Sequence, residues 1–258
     1  MSELFSIQLQ NRQQQGRDGV WLDLPTTTEQ VQAALRQIGI SSDNPQGLFI
    51  SGYFAEEEKR FAIPYNMVLA SNVDELNFLA ARLETLSAGE RAELNAALQA
   101  PQSELSSIGK ITDFPENVEY YVYLPDVRGP AQLGDYYLNR SGMVNMPDEW
   151  KGGIDTAQFG RYVAQQEQGA FTQYGYLVKS GDEWQKVHEG QPVPEEYRVL
   201  SFPVPEVMRD AANIPPPVQP ETEPQKVIPI ILNGKDSAER MKEITDRLET
   251  GIQELFDS

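Results

Sequence analysis

The side chains of this sequence that could perform chemistry are almost all carboxylates. Of the 258 residues 39 are Asp or Glu, against 21 Lys or Arg, which gives a formal net charge of −18. Paired carboxylates can serve as general acid and base in a hydrolase. No spacing in this chain singles out one such pair. A hydrolase is therefore a distant third hypothesis, and we predict that the protein is not an enzyme.

Other catalytic and ligand-binding residue types are scarce. The chain has no Cys, which excludes disulfides, thiolate catalysis and Cys-ligated metals. His188 is the single His; this excludes multi-His metal sites and disfavours a Ser-His-Asp site, so we expect a structural or exposed His. No Walker A loop and no dinucleotide-binding glycine pattern is present, and Gly152 and Gly153 are typical of a turn. We expect neither a cofactor nor a metal.

The excess of Asp and Glu and the distribution of apolar residues indicate the expected partners and cellular location. Proteins that bind phosphates are basic, so we expect no direct contact with nucleic acid. Strong negative charge favours partners with basic surfaces, although many soluble proteins are simply acidic. No run of 18 apolar residues exists and the polar N-terminus lacks the apolar core of a signal peptide, so we expect no membrane span and a cytoplasmic protein.

Residues 1–70 have the pattern of a small α/β domain. Alternating apolar residues predict strands at residues 5–9 and 20–24, and a third strand at 48–54. Thr26 and Glu29 have the spacing of a capping box before a helix. That helix would bury one face, formed by Val31, Ala34, Leu35 and Ile38.

Residues 71–109 have a helical pattern throughout and predict a small helical domain. The first helix has Asp74 and Glu75 in its first turn and an apolar stripe formed by Leu76, Leu79, Ala80, Leu83 and Leu86. Ser87 and Glu90 form a second capping box, and Pro101 ends the helix that follows. The two helices would pack on each other and on residues 105–108.

Residues 110–202 predict an α+β domain with a strand at 118–124. The stretch 129–162 contains two helical patterns: one carries Leu133, Tyr136 and Tyr137 and stops at Ser141-Gly142, and the other is capped by Asp155 or Thr156. A closing strand is predicted at 171–178, and a further strand pair within 181–202.

The chain then changes character. Residues 203–229 are rich in Pro and acid and predict an extended linker. Residues 230–258 predict an amphipathic helix with one apolar stripe. The sequence leaves three alternatives for this stripe: it folds back on the rest of the chain, pairs with a partner, or leads into a further domain. The stripe consists of Met241, Ile244, Leu248, Ile252 and Leu255. The predicted fold class is thus α+β, with three small domains in a row (α/β, helical bundle, α+β), elongated, followed by the linker and this helix.

Three segments in this order resemble the ArdA antirestriction family. They are residues 19–25 (GVWLDLP), residues 74–77 (DELN) with the Leu stripe that follows, and residues 133–137 (LGDYY). The last continues to Ser141-Gly142, Ile154-Asp155 and residues 159–161 (FGR). The resemblance covers about residues 3–178, and the family's three small domains match the division made above from pattern alone.

The resemblance implies a function. Members of this family mimic B-form DNA: elongated, curved, acidic dimers occupy the DNA groove of type I restriction–modification enzymes. It implies a mimic surface whose members, each of which has an ordinary solvated surface acid as its alternative, would be Asp74, Glu75, Glu84, Glu90, Glu93, Asp113, Glu116, Glu119, Asp126, Asp135, Asp148, Glu149 and Asp155. Dimerisation through the third domain would use Tyr136, Tyr137, Met143, Val144 and Met146, whose alternative is an ordinary core.

Two features depart from the family. Residues 1–178 have 23 Asp and Glu against 12 Lys and Arg, a mild net charge of −11. Residues 226–258 are additional, and they resemble the segment that leads into ArdC-like proteins of conjugative elements. The first hypothesis is a DNA-mimic antirestriction protein of a mobile element, acting as a homodimer. The alternative is an adaptor of a conjugative element that uses an ArdA-like scaffold and recruits its partner through the C-terminal helix.

Overall fold

The computed structural model describes residues 4–14, 18–41, 46–56, 60–101 and 103–200. The predicted linker at 203–229 and the predicted helix at 230–258 lie outside the described residues. The elements are, in chain order, β1 (Phe5–Asn11), β2 (Val20–Leu24), α1 (Thr28–Gln37), β3 (Leu48–Phe54), α2 (Tyr65–Leu69), α3 (Val73–Glu84), α4 (Ala88–Gln99), α5 (Ile108–Thr112), β4 (Tyr121–Leu124), α6 (Pro130–Asp135), α7 (Asp148–Lys151), α8 (Thr156–Glu167), β5 (Ala170–Phe171) and β6 (Tyr176–Lys179). Short 3₁₀ turns lie at Phe114–Glu116, Val118–Tyr120 and Glu195–Tyr197, and one π-helical turn at Tyr136–Arg140.

The mixture of helices and antiparallel strands confirms the α+β class. The described residues form two compact units. Unit 1 comprises residues up to 85, with 107–112 and 188–200; unit 2 comprises 86–106 and 113–187. The predicted helical domain at 71–109 is therefore divided, because α3 belongs to unit 1 and α4 to unit 2.

Unit 1 contains an antiparallel sheet in the order β2-β1-β3. Ile7 pairs with Leu22 and Tyr53 across the sheet, and the alternation predicted from the sequence puts Ile7 and Leu9 in the core. The three predicted strands are confirmed. The capping box of α1 lies one residue later than predicted, because Thr27 accepts the N–H of Gln30 and Gln30 accepts the N–H of Thr27.

The last described residues pack on α3. Asn77 Oδ1 accepts the N–H of Thr26 at 2.7 Å, and its Nδ2 donates to the carbonyl of Tyr197 at 2.9 Å. The ring of Phe78 contacts His188 and Tyr197, with centroids 4.9 and 4.8 Å away. The prediction of a strand pair within 181–202 is wrong for the described residues, since no strand forms between 181 and 200 and residues 188–200 belong to unit 1.

Unit 2 contains a second sheet in the order β4-β6-β5. Residues 118–120 form a 3₁₀ turn rather than the first part of the predicted strand, because the Tyr120 N–H donates to the Asn117 carbonyl at 3.0 Å. The predicted strand at 171–178 is instead a hairpin. Thr172 and Gly175 close its turn with a 2.9 Å hydrogen bond, and Gly175 has a positive φ of 153°.

The helices α6 and α8 cross with their backbones in contact. A Cβ on Gly134 would overlap the carbonyl oxygen of Thr156, and a Cβ on Gly160 would overlap that of Pro130. Only Gly has no Cβ, so this crossing requires both glycines. The two helical patterns of the stretch 129–162 are confirmed as α6 and α8. Their crossing supports the loops of unit 2 that carry acidic residues.

Candidate acidic interaction surface

The structure places the thirteen predicted carboxylates in three environments. Three are buried, at Asp74, Glu93 and Asp113. Four are half-buried, at Glu75, Glu84, Glu90 and Asp135. Six are exposed and all of these lie in unit 2, at Glu116, Glu119, Asp126, Asp148, Glu149 and Asp155.

Glu116 and Glu119 are held outward by the two 3₁₀ turns that precede β4. The side chain of Asn117, between them, donates to the carbonyls of Asp113 (2.8 Å) and Gln185 (2.9 Å) and accepts the Gln185 N–H at 2.7 Å. Three hydrogen bonds to one buried amide fix the turn. The two carboxylates on either side of Asn117 are consequently exposed.

Asp126 and Asp135 are brought together at one open cleft. The cleft has a volume of about 370 Å³ and is lined by Asp126, Val127, Ala131, Gln132, Asp135 and Arg140. Asp135 is partly neutralised, because Arg140 lies 3.0 Å from its Oδ2 and Asn139 donates to its Oδ1 at 2.9 Å. Asp126 lies in the exposed turn after β4.

Asp148, Glu149 and Asp155 surround the short helix α7 and the start of α8. Lys151 Nζ lies 2.8 Å from Asp148, and this hydrogen bond and charge lower the pKa of the Asp148 carboxyl. Exposed pairs of this kind contribute little stability. Asp155 caps α8 by accepting the N–H groups of Ala157 (2.9 Å) and Gln158 (3.0 Å), which confirms its predicted capping role.

The three buried carboxylates do not belong to an exposed surface, which corrects their prediction as mimic residues. Asp74 Oδ1 accepts the N–H groups of Val199 and Leu200, both at 2.8 Å. Asp113 is fully buried, and its Oδ2 accepts the Val187 N–H at 3.3 Å. Both side chains are used inside their own unit.

Glu93 is the third buried carboxylate, and its Oε1 has no hydrogen-bond partner among the described residues. Burial and, as the smaller cause, the charge of Glu90 one turn earlier raise the pKa of Glu93 to about 8. A desolvated carboxyl favours its neutral form. Near neutral pH, Glu93 therefore adds little negative charge to any surface.

Two of the half-buried carboxylates serve as helix caps. Glu75 accepts the N–H of Asn72 at 3.3 Å, and Asn72 accepts the N–H of Glu75 at 2.8 Å. The predicted box of Ser87 and Glu90 is confirmed: Glu90 accepts the Ser87 N–H at 2.7 Å, and the hydrogen bonds of Ser87 lower the Glu90 pKa. Glu84 ends α3.

The predicted dimer residues divide between core and surface. Tyr137 and Met143 are buried in the core of unit 2, which corrects their prediction as contacts of a partner. Tyr136 packs against the same core, and Val144 and Met146 are half-buried.

Tyr137 also reveals a buried acid that the sequence analysis missed. Its hydroxyl donates to Glu167 Oε1, and the Tyr176 hydroxyl donates to Glu167 Oε2 at 2.9 Å. Burial raises the pKa of Glu167, while the two phenols act in the opposite direction. Position 167 carried no local signal, because Tyr176 comes from another element.

Two further exposed carboxylates of unit 2, Asp182 and Glu183, were also missed, since the sequence predicted strands there. With them, unit 2 has fourteen Asp and Glu against seven Lys and Arg, a net charge of −7, whereas the described residues of unit 1 have ten against six. The described residues contain no group of three side chains that could hold a metal ion. None of their helices has the length and apolar character needed to cross a bilayer.

Comparison with known families gives a match that covers most of both units. The family model described as antirestriction protein (ArdA) matches residues 15–178. The chain belongs to the ArdA antirestriction family. The match includes all thirteen predicted carboxylates and ends before residues 188–200, which pack on α3. A search of curated proteins found no match.

Proposed function

We propose that this ArdA-family chain inhibits type I restriction–modification enzymes by occupying their DNA-binding groove with the acidic surface of unit 2. The single observation that carries the proposal is the exposure of six predicted carboxylates in one unit with a net charge of −7. The protein acts by stoichiometric binding and catalyses no reaction. A mobile element that encodes it would protect its incoming DNA.

The physical basis is charge complementarity. Duplex DNA has one negative charge per roughly 1.7 Å of its axis, so an enzyme that binds it has a basic groove. Exposed carboxylates on a folded frame steer into such a groove and compete with DNA there. The six exposed carboxylates form the proposed surface, and the half-buried Asp135 contributes less because Arg140 pairs with it.

Competition with DNA tests the function. A type I enzyme bound to labelled duplex is titrated with the purified protein at low and high salt. We expect displacement near a stoichiometric ratio, weaker at high salt because screening shortens the range of the charges. Absence of displacement at low salt would show that the chain has the family fold without the family's activity.

We propose that the protein forms a homodimer. Fewer of the predicted contact residues remain available for its interface. Tyr136, Val144 and Met146 remain, since Tyr137 and Met143 are used in the core of unit 2. Val144→Asp with Met146→Asp should shift the sedimentation of the protein from dimer to monomer. The matched control is Asn145→Asp, which adds charge at the exposed residue between them.

The adaptor of a conjugative element is the second candidate function. The observation that favours it is the length of chain after residue 178, where the family match ends. Deletion of residues 226–258 separates the two functions. A DNA mimic keeps its inhibition after this deletion, whereas an adaptor loses its partner.

A further inference from the structure

The open cleft of unit 2 is formed by the turn after β4, by α6 and by the π-helical turn that follows α6. Its volume is about 370 Å³, and its lining includes the acidic Asp126 and Asp135, the basic Arg140 and the apolar Val127 and Ala131. Val127 is buried in the core of unit 2, so this side of the cleft is fixed. The cleft thus combines negative charge with an apolar wall.

The π-helical turn places Arg140 beside Asp135. In a regular α-helix, two residues five positions apart point in directions about 140° apart. Here the Ser141 N–H donates to the Tyr136 carbonyl, five residues back, at 2.8 Å, which widens the helix at this turn. Arg140 Nη2 consequently lies 3.0 Å from Asp135 Oδ2. Turns of this type are frequent at functional sites.

The backbone of the π-helical turn is held from the core of unit 2. Tyr137, its second residue, is buried, and its hydroxyl donates to Oε1 of Glu167, the last residue of α8. The Tyr176 hydroxyl on β6 donates to Oε2 of the same carboxylate at 2.9 Å. The turn is therefore fixed from two other elements, whereas the side chain of Arg140 is 66% exposed and is free to leave the cleft.

The cleft already binds one guanidinium, that of Arg140. Asn139 donates to Oδ1 of Asp135 at 2.9 Å, so this carboxylate has its Oδ2 for a cation. The side chain of Asp126 makes no hydrogen bond and no ion pair within the part of the chain that the structure describes, and its charge is open to a ligand. Exposed ion pairs such as that of Asp135 with Arg140 contribute little stability, so a second cation can replace Arg140 at a small cost.

We infer that the cleft accepts an arginine side chain from the basic groove of the partner enzyme, which replaces Arg140 on Asp135 and pairs with Asp126. A guanidinium has five N–H donors in a planar fork and can serve two carboxylates, while its methylene stem packs on Val127 and Ala131. Arg140 is then an internal competitor that lowers the affinity of the acidic surface. The inference rests on the proposed function for the identity of the partner, and it assigns the point of recognition to this one cleft.

Titration of the full chain with a tri-arginine peptide tests the cleft without an enzyme. The Nε signal of Arg140 in ¹⁵N-arginine protein is the reporter, and Arg140→Gln assigns it. We expect the peptide to shift this signal, while that of Arg161, exposed on α8, stays in place. Asp126→Asn should weaken peptide binding about threefold. An unshifted Arg140 signal, an unchanged affinity of Asp126→Asn or an equal shift with a tri-lysine peptide would each overturn the inference.

Two arginine variants connect the cleft to inhibition. Arg140→Gln frees Asp135, whereas Arg128→Gln makes the same change of charge at an exposed residue of unit 2 that does not line the cleft. We expect Arg140→Gln to lower the protein concentration that displaces labelled duplex from a type I enzyme about threefold more than Arg128→Gln does. Equal gains would overturn the inference and leave the proposed function intact. Absence of displacement by the unmodified chain would contradict the proposed function, whereas the peptide titration would still decide whether the cleft binds a guanidinium.

Discussion

Unit 1 and unit 2 use their carboxylates in different ways. In unit 1 the predicted mimic residues are bound internally or are half-buried: Asp74 holds the backbone of residues 199 and 200, and Glu75 caps α3. In unit 2 six predicted carboxylates are exposed, from Glu116 to Asp155. Among the predicted mimic residues, those of unit 1 are thus structural or half-buried, whereas unit 2 holds the buried Glu93 and Asp113 and also the six exposed carboxylates of the candidate binding surface.

The net charge of a segment does not determine which of its carboxylates are exposed. Glu90 and Glu93 lie one turn apart on α4, yet capping by Ser87 lowers the pKa of Glu90 while burial raises the pKa of Glu93 to about 8. Hydrogen-bond donors and depth of burial decide between the two states. A mimic surface must therefore be drawn from exposed side chains and not from composition.

The largest effect on stability is expected at the crossing of α6 and α8 in unit 2. Gly160→Ala should destabilise the protein by about 3 kcal/mol or more, because the new methyl group would overlap the Pro130 carbonyl at the crossing of α6 and α8. Urea unfolding measures the change. The matched control is Gly152→Ala, whose Cβ would meet the nearest atom at 3.8 Å. Equal stability of both variants would contradict the close crossing.

The next largest effect on stability is expected at Asp74 of unit 1, which holds the backbone of residues 199 and 200. Asp74→Ala should lower the free energy of unfolding by about 3 kcal/mol, since the N–H groups of Val199 and Leu200 lose a charged acceptor. Chemical denaturation checks this loss. The exposed Glu29, also in a first helical turn, is the control, and Glu29→Ala should cost much less. A neutral Asp74→Ala would show that residues 199 and 200 are not held in this way.

The stability of the protein should depend on pH through Glu93 on α4. The folded pKa of Glu93 is about 8, above the ordinary Glu value of 4.5, so the stability from this group is fully present below pH 4.5 and is lost as the pH rises through 8. Glu93→Gln should remove this loss, a gain on the order of 3 kcal/mol above pH 8. Thermal unfolding from pH 5 to 9 measures it.

Glu90→Gln is the control for that series and should not show the gain of Glu93→Gln between pH 5 and 9, because its own pH response lies below this range. Its pKa is lowered in the fold, so its contribution is present above its unfolded pKa and is lost as the pH falls through the folded pKa. Parallel pH curves for the two variants would contradict the assignment of Glu93 as a buried, mostly neutral acid.

Local signals in the sequence were sufficient for most elements. The strands β1, β2 and β3, the box of Ser87 and Glu90 and the cap at Asp155 each depend on residues within a few positions of one another. The capping box of α1 was displaced by one residue, because residues 26–30 (TTTEQ) offer two equally spaced pairs and Gln30 makes the bonds.

The errors concern features fixed by distant residues. Asp74 is buried by Val199 and Leu200, more than a hundred positions later, and no local pattern announces this. The predicted strand at 118–124 begins late because Asn117 is held by Gln185. The sequence alone therefore could not distinguish exposed acids from buried ones. This distinction decides which carboxylates belong to the candidate surface.

The smallest expected effect on stability belongs to the surface itself. Glu119→Gln, Asp126→Asn and Glu149→Gln should each change the free energy of unfolding by no more than about 0.5 kcal/mol, because exposed substitutions away from caps and cores rarely do more. Urea titration of the triple variant checks this. A large loss would mean that these side chains hold the fold, and the contrast with Asp74 would disappear.

The same triple variant tests whether the exposed carboxylates of unit 2 form the inhibitory surface. Its inhibition of a type I enzyme is compared with that of a control triple in unit 1, Asp18→Asn, Glu195→Gln and Glu196→Gln, which removes the same charge. We predict that the unit 2 triple weakens inhibition about tenfold at low salt, at about 0.5 kcal/mol for each charge, while the control has little effect. Equal weakening by both triples would show that only the net charge matters and would contradict the account.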